Sequence, residues 1–331
     1  MANRCYVNSV AQVSCQAPLS ESWLDSPVVY EDKYVRAIEP DAKGLIAPAE
    51  ARRMSKILKR SVVTAKTALN DASLAMPDAI ITGTGMGCME NSEKFLIDIC
   101  KYGENLLKPT LFMQSTHNTV SSLIAIILKC HGYNNTYSHS EISFESALLD
   151  AWLQIKGGSI DNALVGSHDE VTPLMAKIIR RTKPAYELIS ETSVSAVLSN
   201  SEAPHALCEV TDVRLLHNVG EQKLAELLSP DTDRVLLLGA NGNKDNYTPY
   251  LSLLDKLPYS PCALRYKNIF GDSLSASAAG FYAAATILHR RKIPRRMLLN
   301  PDGDAPADFD GITSLNHSHG PSWTMIRLKR T

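Results

Sequence analysis

Residues 134–166, NNTYSHSEISFESALLDAWLQIKGGSIDNALVG, constrain this chain more than any other stretch. They predict strand, turn, helix, tight turn and strand. Phe144, Ala147, Leu148, Ala151, Trp152 and Ile155 recur at helical spacing and form one apolar face. Gly157 and Gly158 end that helix, because glycine tolerates the left-handed conformation that a helix C-terminus favours. Asn162 to Gly166 is a short apolar run of the kind found in buried strands. Glu141 therefore falls at the turn where the helix begins. Backbone N–H groups converge at such a turn, and the helix dipole there favours an anion or a thiolate.

The chain has 331 residues, 44% hydrophobic and 21% charged, enough for one large domain or two fused ones. Its 34 basic and 35 acidic residues nearly cancel, which argues against nucleic acid and anionic membrane as partners. Seven scattered cysteines contain no CxxC pair, so neither a zinc site nor a disulfide framework is indicated. Met1 to Ser20 lacks a long apolar core, against a signal peptide, and no run approaches the length of a membrane span. A soluble, cytoplasmic α/β protein is the expectation.

Several other segments carry signals. Residues 3–13 predict a first strand, and residues 14–47, with Pro18, Pro27 and Pro40, an irregular surface excursion or a cap over a partner. A helix is expected from Pro48 to about residue 73. Asp78 to Gly83 predicts a strand, followed by the glycine-rich Thr82-Gly-Thr-Gly-Met-Gly and a helix over Glu90 to Cys100. That glycine run has neither GxGxxG spacing nor a Walker lysine, so it does not read as a phosphate loop. Cys88 reads as a small packing residue. His168, Asp169 and Glu170 are adjacent on an extended chain and cannot all converge on a metal, so a solvated turn is expected there. No metal site and no cofactor are predicted.

The opening stretch resembles the nucleophile region of the β-ketoacyl synthases, which have the thiolase fold. In that family the turn carries Thr-Ala-Cys-Ser-Ser, and a glycine ends the helix before a strand of the type Asp-x-Ala-Leu-x-Gly. Gly158, Asp161, Ala163, Leu164 and Gly166 match that strand and its approach, and counting back puts Glu141 at the cysteine position. The glycine-rich turn is similar to the family's GTGxGG. Residues 111–130 resemble its loop and helix at the subunit interface. Ala240-Asn-Gly-Asn-Lys-Asp matches the family's Ala-His-Gly-Thr-Gly-Thr, with Asn241 at the first catalytic histidine. Arg265 to Gly280 matches Lys-Ser-x-x-Gly-His-x-x-Gly-Ala-Ala-Gly, keeping Lys267 and Gly271 but placing Asp272 at the second histidine. Where the family has Ser-Phe-Gly-Phe-Gly-Gly, the chain has Asn316-His-Ser-His-Gly-Pro, so the gate of the acyl pocket falls on His317 and His319. The segment between the helix at 174–183 and the strand at Val194 to Leu198 is cut down relative to catalytic members.

The resemblance implies an α/β thiolase-like fold of five layers, αβαβα, with two pseudo-repeated halves, residues 1–203 and 204–331. It also implies lost chemistry. Condensation needs a thiolate to accept the acyl chain and two histidines to donate hydrogen bonds to an enolate oxygen. Glu141 supplies no thiolate, and an anionic Asp272 opposes an enolate. The pattern resembles chain-length factors, which lack the cysteine and pair with an active ketosynthase, and the partner subunits of aryl-polyene and flexirubin-type pigment pathways. Partners implied are a catalytic ketosynthase subunit or a second copy of the chain, and an acyl carrier protein, with an interface that includes residues around 111–140. Two further readings stay open. One is different acid/base chemistry on this fold, using Glu141, Asp272 and His139, His317 or His319. The other is a homodimeric binding or scaffold protein.

Overall fold

The structure, a computed structural model, describes residues 3–104, 107–182, 187–230, 234–301, 303–317 and 322–331. Among these residues twelve strands are formed. In chain order they are β1 (Tyr6–Val13), β2 (Tyr34–Val35), β3 (Ala79–Gly83), β4 (Tyr133–Tyr137), β5 (Asn162–Asp169), β6 (Ile189–Ser190), β7 (Thr192–Ser199), β8 (Cys208–Leu216), β9 (Arg234–Leu238), β10 (Ala263–Arg265), β11 (Gly311–His317) and β12 (Trp323–Lys329). Ten of them run in the order β10-β9-β11-β12-β8-β1-β7-β5-β3-β4, while β2 and β6 pair separately.

That order contains the same pattern twice. In the first half β3 is parallel to β4 and β5, β5 is antiparallel to β7, and β7 is antiparallel to β1. In the second half β9 is parallel to β10 and β11, β11 is antiparallel to β12, and β12 is antiparallel to β8. The halves meet where Tyr6 pairs with Glu209 and Val7 with Cys208. Alternation of side chains sends neighbouring residues to opposite faces. Leu164 and Val197 face an outer core with Ile57, Val62 and Val63 of the helix Lys56–Asp71, while Val165 and Ala196 face the central core. Leu236 and Leu238 likewise face the outer helices Glu221–Leu228 and Lys244–Lys256, and Val235 and Leu237 face inward. Sheets covered on both faces explain why these strands read as continuous apolar runs.

The middle layer is made by the helices Ser143–Gly157 and Ser277–Arg290. Phe144 of one and Phe281 of the other meet at 5.4 Å between ring centroids. Every residue from Ser277 to Leu288 is buried, as suits a helix held between two sheets. Gly158 caps the first helix at φ +73°, the left-handed conformation its sequence predicts. The architecture is the five-layer thiolase-like fold.

Four expectations change. The helix from Pro48 is two helices, Pro48–Ala51 and Lys56–Asp71, separated by residues 52–55. A helix over Lys244–Lys256 goes unpredicted, although Asn243 caps it by accepting the Asp245 N–H at 2.7 Å. The excursion at 14–47 is irregular and mostly at the surface, as expected, but Trp23 and Leu24 anchor it in this chain's own core. Trp23 is 1% exposed, donates from its indole to the Tyr282 hydroxyl at 3.0 Å, and lies 5.1 Å from the ring of Phe270. His168, Asp169 and Glu170 form no solvated turn, since all three are buried at the end of β5. Among the described residues no helix is long and apolar enough to cross a membrane.

Candidate functional site

The site lies where the carboxyl end of β4 turns into the helix Ser143–Gly157. Ser140 takes the left-handed conformation at φ +53°, uncommon for a residue with a side chain. A single 3-10 turn, Ser140–Ile142, then carries Glu141. The Ser143 hydroxyl accepts the His139 N–H at 2.9 Å and fixes the start of the helix.

The second half brings Asn241 and Asp272 to the same place. Asn241 follows β9, and its side-chain amide donates to Asp272 Oδ2 at 2.9 Å. Lys267 Nζ lies 2.9 Å from Asp272 Oδ1. The Asp272 backbone pairs with β6, donating to the Leu188 carbonyl at 2.7 Å and accepting the Ser190 N–H at 3.1 Å. Gly271 makes this close approach possible. It sits at φ +77°, and a Cβ there would lie 2.3 Å from Ser190 Cβ. Asp272 is 2% exposed. Burial raises its carboxyl above the usual range, the Lys267 ammonium opposes that rise, and the charge of Glu141 adds to it.

Glu141, Lys267 and His317 line one small cavity of about 20 Å³, with Leu274, Ser277 and Asn316. That is room for about one water. The structure therefore unites five of the six predicted positions: Asn241 and Lys267 each bond Asp272, and Glu141 and His317 share the cavity beside Lys267. His317 donates its backbone N–H to the Tyr250 hydroxyl at 2.8 Å, with its ring 4.6 Å from Trp323. His319 lies outside the described residues. His139 points to the helix instead, its Nδ1 3.0 Å from the Ser146 hydroxyl.

Two buried carboxylates lie beside the site, Glu145, which the sequence reading passes over, and Asp169, which it places in a solvated turn. Glu145 is fully buried and accepts hydrogen bonds from Ser277 at 2.8 Å, Asn316 at 2.7 Å and Thr324 at 2.8 Å. Burial raises its carboxyl, and these three donors oppose the rise. Asn316 in turn accepts from the Tyr266 hydroxyl at 2.6 Å. The one available signal is an acid inside an otherwise apolar helical face, which demands partners when buried. Asp169 accepts the N–H groups of Gly85 and Met86 and the hydroxyls of Thr84 and Ser275. It so ties the glycine-rich turn to the second half. Cys88, in that turn, is fully buried, and burial pushes its thiol up to about 12, which leaves it inert at neutral pH. Among the described residues no cluster of three or more His, Cys, Asp or Glu side chains is placed to hold a metal ion.

Chemically, the cluster offers an amide, an ammonium, an imidazole and two carboxyls beside a cavity too small for an acyl chain. Among the described residues no thiol lines it. Its ammonium is already committed to Asp272.

The β-ketoacyl synthase N-terminal domain profile matches residues 23–209, and the chain belongs to the β-ketoacyl synthase family. A 3-oxoacyl-[acyl-carrier-protein] synthase 2 of Synechocystis sp. is 26% identical over 144 residues, 40% of this chain and 34% of that relative. The matched stretch thus spans about a third of the relative's length. Among solved structures, a chain of the AntDE:AntF complex, a type II PKS acyl-carrier protein with its ketosynthase, superposes with TM-score 0.81 at 13% identity, covering 100% of both chains. A chain from the complex of the ketosynthase ApeO with its chain length factor ApeC, from Xenorhabdus doucetiae, gives TM-score 0.77 at 15% identity, covering 99% of this chain and 98% of that one. At such identities the likeness is one of fold.

Proposed function

We propose that this chain is a non-catalytic, chain-length-factor-type subunit that pairs with an active ketosynthase and helps shape the tunnel for its growing acyl chain. The observation that carries this reading is Asp272. At a position where the family places a hydrogen-bond donor for the enolate oxygen, this chain holds a buried acceptor, paired with the Lys267 ammonium and hydrogen-bonded by the Asn241 amide. An acceptor there opposes the negative charge that the reaction develops. The cavity beside Glu141 supports the same reading, because it has no room for a substrate. On this reading residues 1–203 and 204–331 are the two halves of one subunit.

The surface expected to meet a partner has suitable features. β4 ends the sheet, so its outer edge offers backbone groups for pairing with another chain. Beside it, Met54, Leu58, Met113, Leu123 and Ile126 line a groove of about 440 Å³, and Met113 and Ile126 are exposed. The resemblance to aryl-polyene and flexirubin-type partner subunits narrows the proposal to polyene-pigment or polyketide assembly, with an acyl carrier protein delivering the chain to the pair.

The test is native mass spectrometry of the chain alone and coexpressed with a ketosynthase encoded beside it, followed by product analysis. A one-to-one complex, with product formed by the pair only, is expected. Efficient condensation by this chain alone overturns the proposal, and a homodimer indifferent to the ketosynthase favours the scaffold reading.

A further inference from the structure

The helix Met89–Tyr102 is held unusually lightly. Asn91 is its one buried residue, and Leu96, Ile97 and Tyr102 are exposed. Its attachments are few and mostly at its start. Glu170 Oε1 accepts the Glu90 N–H at 2.8 Å, the Thr172 hydroxyl donates to Glu93, and Asn91 donates to Gln114 at 3.3 Å. Further along, Phe95 meets Phe112 at 5.5 Å. Glu170 is 1% exposed. Its second oxygen is buried without a hydrogen-bond partner, and so is the second oxygen of Glu90. The first oxygen of Glu90 is taken by Lys94 at 2.8 Å. Two acceptors are thus buried in one neighbourhood, each without a hydrogen-bond donor, an arrangement that native proteins resolve with a proton, a water or an ion.

We propose that Glu170 donates a proton to Glu90 and that this shared proton seats the helix Met89–Tyr102 on the body of the protein. Glu90 is the anionic partner and Glu170 the neutral donor. A single proton satisfies both orphaned oxygens and leaves Glu170 Oε1 to accept the Glu90 N–H.

Among the described residues no cation forms an ion pair with Glu170 itself. From the helix Lys56–Asp71, Arg60 is committed to Glu191 at 2.9 Å and Glu39 at 2.6 Å, and Lys56 lies toward Glu39 and Glu90. From β2 and the residue after it, Tyr34 donates to the Val171 carbonyl, and Arg36 pairs with Glu191 at 3.3 Å while its charge also favours the anionic form of Glu90. Glu191, between β6 and β7, adds negative charge. From the glycine-rich turn comes Cys88, a neutral thiol. Asp169 is turned toward the N–H groups of Gly85 and Met86, and the neutral His168 bonds Ser193 at 2.6 Å. On the helix itself Glu93 holds Thr172 and Lys94 holds Glu90. Burial first, then the charges of Glu90 and Glu191, raise the Glu170 carboxyl to about 7, against the Glu90 N–H and Arg60. The folded-state value is raised, so the seat is complete at low pH and is lost as pH rises through about 7. Above that point two carboxylates face each other and the helix loosens.

Hydrogen-exchange mass spectrometry of the full chain tests this on the amides of residues 92–102. Rates are normalised to the unprotected chain at about pH 6 and about pH 8.5, an interval that spans the raised carboxyl and should increase opening about tenfold. Glu170→Gln keeps an N–H donor for Glu90 but cannot titrate, so opening should stay low at both values. Glu90→Gln supplies an N–H donor to an ionised Glu170 and should flatten the response too, which keeps the test open if one variant does not fold. Unchanged exchange in the helix Ser277–Arg290 reports an intact core. A wild-type response that is flat, or a tenfold rise that survives in either variant, overturns the proposal. Exchange is read on this chain alone and does not depend on the proposed pairing. A weaker partner surface above neutral pH, through Leu96, Ile97 and Phe112, is the consequence that rests on that reading.

Discussion

The Glu145 carboxylate accepts the Asn316 side-chain amide at 2.7 Å across 171 residues of sequence. This bond joins the middle-layer helix of the first half to β11 of the second. Ser277 and Thr324, both from the second half, complete the coordination. Glu145→Ala strips three donors of their acceptor and opens a buried cavity, so stability should fall by about 3 kcal/mol. Urea unfolding at unchanged m-value measures it. A loss below about 1 kcal/mol, the worth of one ordinary hydrogen bond, contradicts the assignment.

Lys267 and Asp272 form a pair in which one member is almost fully buried. Lys267→Met leaves Asp272 buried beside Asn241 with no cation, and breaking such a pair costs about 3 kcal/mol or more. Without the ammonium the Asp272 carboxyl rises further, so the variant should lose stability as pH rises. Adding Asp272→Leu to Lys267→Met removes the stranded charge and should recover much of the loss. Chemical denaturation across pH checks both, and a pH-independent single variant contradicts the pairing.

Trp23 tests how residues 14–47 are anchored to the core. Its ring packs on Phe270, and its indole N–H meets Tyr282. Trp23→Ala should cost about 3–5 kcal/mol, the range for truncating a buried aromatic. A thermal melt within a degree or two of wild type rules out the packing described.

The thiols should separate by burial. Cys100 is exposed, whereas Cys5, Cys88 and Cys208 are buried with their thiols pushed up by burial. Alkylation at about pH 8, which acts on the thiolate, should label Cys100 first and those three only after unfolding. Mass mapping reads the order, and early modification of Cys88 contradicts its burial in the glycine-rich turn.

Much of this protein is legible in its sequence for a local reason. Periodicity at Phe144, Ala147, Leu148, Ala151 and Ile155 reports a helix, and the apolar run after Asn162 a strand covered on both faces. Counting from Gly158 and Gly166 then places Glu141 at the helix start, because chain connectivity in a strand–helix–strand unit leaves little slack. Asn241, Lys267 and Asp272 are legible in the same way. On the reading proposed above, two carboxyls and an amide, Glu141, Asp272 and Asn241, stand where the family has a thiolate and two imidazoles, and the lysine, Lys267, is kept.

Tertiary structure alone decided what those groups touch. An ion pair between Lys267 and Asp272, a bond from Glu145 to residues over a hundred positions away, and the insertion of Trp23 beside Phe270 are long-range contacts that no local pattern encodes. Burial is the physical reason they matter. The charged triplet at 168–170 looks like a solvated turn when read along the chain. Folded beneath other elements, Asp169 becomes the acceptor for the glycine-rich turn and Glu170 a carboxyl held near neutrality. Sequence specifies which groups are present, and packing sets the dielectric and the neighbours that decide their charge.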